Sequence, residues 1–199
     1  MLNQKTLERF ISKAPFAVMT RLVAGAFISE ELDEVFDQHR ERQYTRDVKF
    51  SAIAASVADV ALNFSENFNQ AYTAHREEVG VSLTSYYDKI NATETGVSEA
   101  CVARSAEKAK ELQDALGFVP WEILPGYRCF GVDGNVLAKT DKRLGVLQDS
   151  KSAPLPGKAI ARFDLQRQLF DRVYLLQDAH AVESATCDRI VDDLLPKDV

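Results

Sequence analysis

Val102, Ala106, Ala109, Leu112 and Leu116 stand at three- and four-residue steps, the spacing of a helix that buries one face. Ser98 is a good N-cap for that helix and Gly117 a good C′ residue, so the pattern predicts a helix between them. Its other face carries Arg104, Glu107, Lys108, Lys110 and Glu111, which read first as a solvated surface. Earlier in the chain, Ala54 to Leu62 (AASVADVAL) is rich in alanine and free of glycine and proline, so propensity favours helix there too. The stretch around Glu30-Glu31-Leu32-Asp33-Glu34 continues an apolar run as an amphipathic helix. A short helix over Ser82–Ile90 brings Tyr86 and Tyr87 side by side. With Lys89 these tyrosines could contact a phosphate backbone; paired aromatics at a helix–helix contact account for them more simply.

The pattern changes after Phe118-Val-Pro-Trp-Glu-Ile-Leu-Pro125, where the prolines cannot continue a helix. Strand signals follow at Tyr127 to Val132, Ala159 to Leu165 and Phe170 to Gln177, with Gln166-Arg167-Gln168 as the turn of an antiparallel hairpin. Val182, Ala185, Ile190, Val191 and Leu194 predict a helix over Ala181 to Leu195 that packs on the sheet. Pro196 to Val199 reads as a turn leading into another strand. The expected organisation is α+β: a helical region over 1–117, a connector over 118–126, and a domain over 127–199 with strands, one helix and the start of a further strand.

Composition narrows the classes. The chain has 199 residues, 46% hydrophobic and 27% charged, as in ordinary globular proteins, and a formal charge of −6. A protein whose only task is to coat nucleic acid is usually basic, so DNA contact here requires a local patch. Cys101, Cys129 and Cys187 are far apart, with neither zinc-ligand nor disulfide-framework spacing, and read as reduced thiols. His39, His75 and His180 are equally scattered. Gln177-Asp178-Ala-His180 could be drawn as a metal pair, but a polar cluster at a strand end explains it more simply. No apolar run approaches a membrane span, and Arg21 splits the only stretch resembling a signal peptide, so the expected location is cytoplasmic.

The candidate chemistry centres on Asp133. Strand alternation places Tyr127, Cys129, Gly131 and Asp133 on one side and Arg128, Phe130 and Val132 on the other. Asp133-Gly134-Asn135 is also a turn signal, yet Val136 and Leu137 resume the β pattern at once, as though the acid sat within a strand.

Gly131-Val-Asp-Gly-Asn-Val-Leu137, Arg143-Leu-Gly-Val-Leu147, and Leu155-Pro-Gly-Lys158 leading to Ala161-Arg-Phe-Asp164 resemble the start of the catalytic domain of insertion-sequence family 4 transposases, of the DDE class. Val81–Ile90 and the Ser98 helix resemble the N-terminal region of one branch of that family. The resemblance implies a truncated RNase H-like α/β domain, with three strands, one helix and the beginning of a fourth strand. It makes Asp133 the first catalytic acid and a magnesium ligand. In such enzymes paired divalent ions activate the attacking oxygen and stabilise the leaving oxygen of a phosphodiester, held by hard oxygen ligands. The family's second acid lies on the strand after the helix, and its third, a glutamate, on a later helix. Neither Asp164 nor Asp178 occupies a matching position, so the expectation is a transposase fragment inactive alone, partnered by transposon-end DNA.

From Lys139 to Arg167 seven basic residues face three acids, the most basic long window in the chain. Within it Lys139, Lys142, Arg143, Lys151, Lys158 and Arg162 are the candidate DNA contacts, and a solvated mixed-charge loop is the plain alternative. An unpaired strand edge near Val132 would favour poor solubility, self-association or pairing with a full-length transposase. Two other readings remain: a non-catalytic inhibitor that binds DNA or transposase, and an unrelated α+β domain in which Asp133 only makes a turn.

Overall fold

The computed structural model describes residues 29–43, 48–137, 157–176 and 181–199. They form a mixed α+β protein in two compact units, one ending at Val97 and the other beginning at Ser98.

In the first unit, α1 (Ser29–His39), α2 (Phe50–Ala61), α3 (Phe68–Ala74), α4 (Arg76–Val79) and α5 (Leu83–Asn91) follow one another. Local capping explains several ends. The Asn67 side chain accepts a hydrogen bond from the Gln70 N–H, Ser82 does the same for Ser85, and Gly80 closes α4 at φ 67°. The core collects Val48, Ala52, Ile53, Tyr72, Val79 and Tyr86. Tyr86 is fully buried and donates its hydroxyl hydrogen to Ser56 Oγ at 2.7 Å, while its ring packs against Tyr72 and edge-on to Tyr87. The adjacent tyrosines are thus a packing device, and Lys89 lies 4.3 Å above the Phe36 ring.

Helix α6 spans Thr95–Ala115. It starts a turn earlier than the Ser98 cap predicts, because Val97 is fully buried and its N–H already bonds Glu94 O at 3.1 Å. Its other end matches the sequence signal. Gly117 has φ 73°, its N–H donates to Asp114 O at 3.0 Å, and the Phe118 N–H donates to Gln113 O at 2.8 Å. These two bonds make a Schellman motif.

In the second unit, β1 (Phe130–Val136), β2 (Lys158–Asp164) and β3 (Leu169–Leu176) form a three-stranded antiparallel sheet in the order β1-β2-β3. β1 lies a few residues beyond the expected Tyr127–Val132, since Arg128 is engaged in a different bridge described below. The hairpin turn falls where predicted: Gln168 takes φ 57° and its N–H donates to Asp164 O at 2.7 Å. A bulge at Arg162/Phe163 admits Asp171 as an extra residue of β3. The expected helix over Ala181 to Leu195 is shorter in fact, a 3₁₀ turn at Glu183–Thr186 running into α7 at Cys187–Asp192.

Alternation divides the sheet into two faces. Ile160, Arg162, Asp164 and Tyr174 are buried on one. Asp133, paired with Ala161, projects on the other. Ionic contacts bind α6 to the sheet and hairpin: Lys110 Nζ lies 3.3 Å from Asp171 Oδ2, and Arg167 Nη1 lies 2.8 Å from Asp114 Oδ1. The outward N–H of Leu175 on β3 donates to Glu99 Oε1 at 2.7 Å, which covers part of that edge.

Candidate metal and nucleic-acid site

Asp133 lies at the middle of β1 with regular pairing on both sides of it, Val132 to Arg162 and Gly134 to Ile160. It does not form a hairpin turn. Its side chain is exposed, and Oδ1 accepts the N–H of Gly134 at 2.9 Å. A Cβ at Gly134 would lie 2.7 Å from Glu183 Oε1, so glycine here admits the segment that begins the 3₁₀ turn.

Magnesium needs several hard oxygen ligands brought to one point. Among the described residues no group of three or more Asp, Glu, His or Cys side chains is placed to hold a metal ion. Asp164 is occupied elsewhere: its Oδ1 accepts the N–H groups of Gln166 at 3.1 Å and Arg167 at 2.9 Å, fixing the hairpin turn. Asp133 therefore offers a single carboxylate, which does not make the two-ion centre the resemblance implies.

The basic candidates part company. Arg162 is only 3% exposed and forms a forked pair with Asp171, Nε to Oδ1 at 2.9 Å and Nη2 to Oδ2 at 3.0 Å. Its Nη1 donates to Asp193 O at 3.3 Å, and its guanidinium lies 4.7 Å from the Phe130 ring centre. Burial alone would lower the Arg162 pKa, but the hydrogen bonds and charge of Asp171 outweigh it and hold the guanidinium charged. On Asp171 burial acts upward, and the bonds and charge of Arg162, helped by Lys110, leave the carboxyl below its ordinary value. Arg162 is thus a structural residue on the face opposite Asp133, not a group presented to an external phosphate. Lys158 is half-engaged: Nζ donates to Ala181 O at 3.0 Å and lies 3.6 Å from Glu183 Oε1. Lys139, Lys142, Arg143 and Lys151 lie outside the described residues, as do Asp178 and His180 of the suggested metal pair.

Sequence reasoning missed the polar layer beneath the sheet. Lys110 joins Asp164 and Asp171, and the Tyr174 hydroxyl donates to Asp193 Oδ2 at 2.8 Å. Burial, reinforced by Asp193, pushes the Tyr174 phenol up to about 12. The signal was available: Arg162 shares the alternation of Ile160 and Asp164, and a hairpin turn at 166–168 brings it opposite Asp171-Arg172. Cys101 is a half-buried thiol whose pKa desolvation raises to about 11, and all three cysteines are free. A third polar cluster, in the first unit, places His75 Nε2 2.7 Å from Asp59 Oδ2 and Nδ1 3.1 Å from Glu78 Oε2.

The strand direction after α7 adds one more feature. Lys197, at φ 75°, turns the chain so that Asp198 bridges Arg128 in parallel. The N–H of Arg128 donates to Lys197 O at 2.8 Å, that of Val199 to Arg128 O at 2.9 Å, and that of Phe130 to Val199 O at 2.8 Å. Arg128 Nη2 and Asp198 Oδ1 pair at 2.5 Å. Among the described residues no helix is long and apolar enough to cross a membrane.

No protein family, curated protein or solved structure matches the chain in sequence or fold comparison.

Proposed function

We propose that these 199 residues correspond to the N-terminal part of a DDE-class transposase, a DNA-binding helical region leading into an RNase H-like sheet. The observation that carries the reading is the parallel bridge of Arg128 with Asp198, following three antiparallel strands and a helix. An order of three antiparallel strands, a helix, and a strand returning parallel beside the first is the arrangement the resemblance calls for. Asp133 in mid-strand agrees with the same reading, because the family's first acid sits on the first strand.

The role supported for this chain is binding. Asp133 is the candidate first metal ligand, and Lys139, Lys142, Arg143 and Lys151 are the candidate phosphate contacts; Arg162 drops out through burial and Lys158 through its existing bonds. The proposed setting is cytoplasmic.

A gel-shift titration with duplex DNA taken from the flanks of the gene, against scrambled duplex of equal length, tests the reading. Preferential binding without cleavage in magnesium is expected. Equal or absent binding to both duplexes removes the reading, and magnesium-dependent nicking lost in Asp133→Ala would establish catalysis instead.

A further inference from the structure

We propose that the bend at Glu41-Arg42 is a binding site for a phosphate group, held shut in the free chain by the carboxylate of Glu94. All the residues concerned lie in the first unit, so the inference stands apart from the metal and phosphate contacts considered for the sheet.

Helix α1 ends at His39, and the chain bends at Glu41 and Arg42. At that bend two successive backbone N–H groups converge on one side chain: Glu41 donates to Glu94 Oε2 and Arg42 to Glu94 Oε1, each at 2.7 Å. Successive main-chain donors turned to one side make an anion-binding concavity. A carboxylate and a phosphate both offer it paired, charged oxygens. The Glu94 carboxylate thus stands where two oxygens of a phosphate would. Glu41 and Arg42 are exposed, so the bend is reachable from solvent.

The frame of the bend is fixed and its neighbours are cationic. Arg40 Nη1 donates to Gln43 O at 2.6 Å, closing the bend on itself, and Gln43 Nε2 donates to Lys89 O at 3.1 Å, tying it to α5. Lys89 Nζ is held over the Phe36 ring. Burial lowers the Lys89 pKa and the Arg40 charge lowers it further, while Asp37 and Glu94 oppose the fall. Lys89 therefore feels Arg40 and Glu94 together. When Glu94 leaves, the two cations repel each other without that compensation, and an incoming anion relieves them. Arg42 adds a third cation within the bend itself.

Two features oppose an anion here. Asp37 Oδ1 lies 2.9 Å from Arg40 Nε and takes part of its charge, and the negative end of α1 is close by. A carboxylate is bound in spite of both, and a phosphate brings a further oxygen to the same donors and cations. Glu94 also has a second place to go. It immediately precedes α6, whose first N–H groups and positive end stabilise a carboxylate. Exchange therefore replaces one set of bonds by another instead of stranding a charge, and the two positions of Glu94 are the closed and open states of the site.

Amide proton–nitrogen spectra of the full chain, titrated with inorganic phosphate and separately with a short DNA duplex, test the proposal, with sodium chloride of equal ionic strength as the control. In Glu94→Ala the Glu41 and Arg42 resonances are expected to move with phosphate, at a dissociation constant about tenfold lower than in the unsubstituted chain, where the carboxylate competes. Glu94→Gln keeps one acceptor oxygen for the bend and should fall between; it decides the matter if circular dichroism shows Glu94→Ala unfolded. Resonances that follow the duplex but not free phosphate support the site as one for a nucleic-acid backbone, and resonances that follow both support it as one for phosphate groups at large. A phosphate response with no duplex binding anywhere removes the DNA reading and keeps this one. Silence of both resonances toward both ligands, even with duplex bound elsewhere on the chain, or equal affinity with and without the Glu94 carboxylate, would overturn the proposal and leave Glu94 as a brace for the bend.

Discussion

His75 binds a carboxylate through each ring nitrogen, Asp59 at 2.7 Å and Glu78 at 3.1 Å, and only the protonated ring can donate to both. The bond to Asp59 raises its pKa, burial works against that, and the bond to Glu78 with both charges adds to the rise, so the net shift is above 6.5. A group whose folded pKa exceeds its unfolded one contributes stability that is complete below the unfolded value and lost as pH rises through the folded one. Urea denaturation should therefore show the first unit losing stability as pH climbs from about 6.5, and His75→Gln should flatten that slope. At Arg162 the consequence is larger: Arg162→Ala strands Asp171 in the interior and should cost about 3 kcal/mol or more in denaturant midpoint experiments. Replacing Arg162 and Asp171 together by Met and Leu should recover most of that loss, because the desolvation cost disappears with the pair. The pairing of Arg162 with Asp171 was legible only through the strand alternation and the hairpin turn taken together. Asp133 was more legible, since the return of the β pattern at Val136-Leu137 placed it inside a strand, where it is found.

Regular elements were read well wherever periodicity and a stop signal coincided. Gly117 ended the long helix in both sequence and structure, and a glycine at φ 73° with open space around it makes a clean test. Gly117→Ala should destabilise by about 1 kcal/mol through backbone strain alone, whereas Gly134→Ala meets the Glu183 carboxylate and should displace the 3₁₀ turn, visible as altered amide exchange over Glu183–Thr186. Both β2 and β3 lay within a residue or so of expectation because a turn separated them. The start of α6 and the extent of α7 were misjudged for one reason: packing, not capping, decides them. Val97 draws an extra turn into the helix by being buried, and the Asp193 N–H bonds close α7 early at Arg189 O and Ile190 O. The segment Pro196 to Val199 was legible as a turn leading into a further strand, but that it returns in parallel beside Arg128 is a tertiary matter.

A molecule with formal charge −6 repels DNA through its overall field, so the proposed DNA binding has to come from close contacts that salt weakens through counterion release. At ordinary ionic strength the overall repulsion is screened beyond about 10 Å, while phosphates in direct contact with lysine or arginine still release their counterions. The two effects separate in a salt titration. Each phosphate contact contributes about 0.9 to the slope of log affinity against log salt. Lys158 already donates to Ala181 O, so Lys158→Ala should leave the slope nearly unchanged. Replacing Lys139, Lys142, Arg143 and Lys151 together by alanine should lower it by up to ~0.9 for every residue that touches phosphate, and also make the protein more acidic. Both changes lower affinity and both flatten the slope, so Lys158→Ala, which removes a charge but no proposed phosphate contact, gauges the share that charge alone contributes. An unchanged slope in the combined variant, with Lys158→Ala flattening it instead, would move the DNA surface to the sheet and away from the segment between β1 and β2.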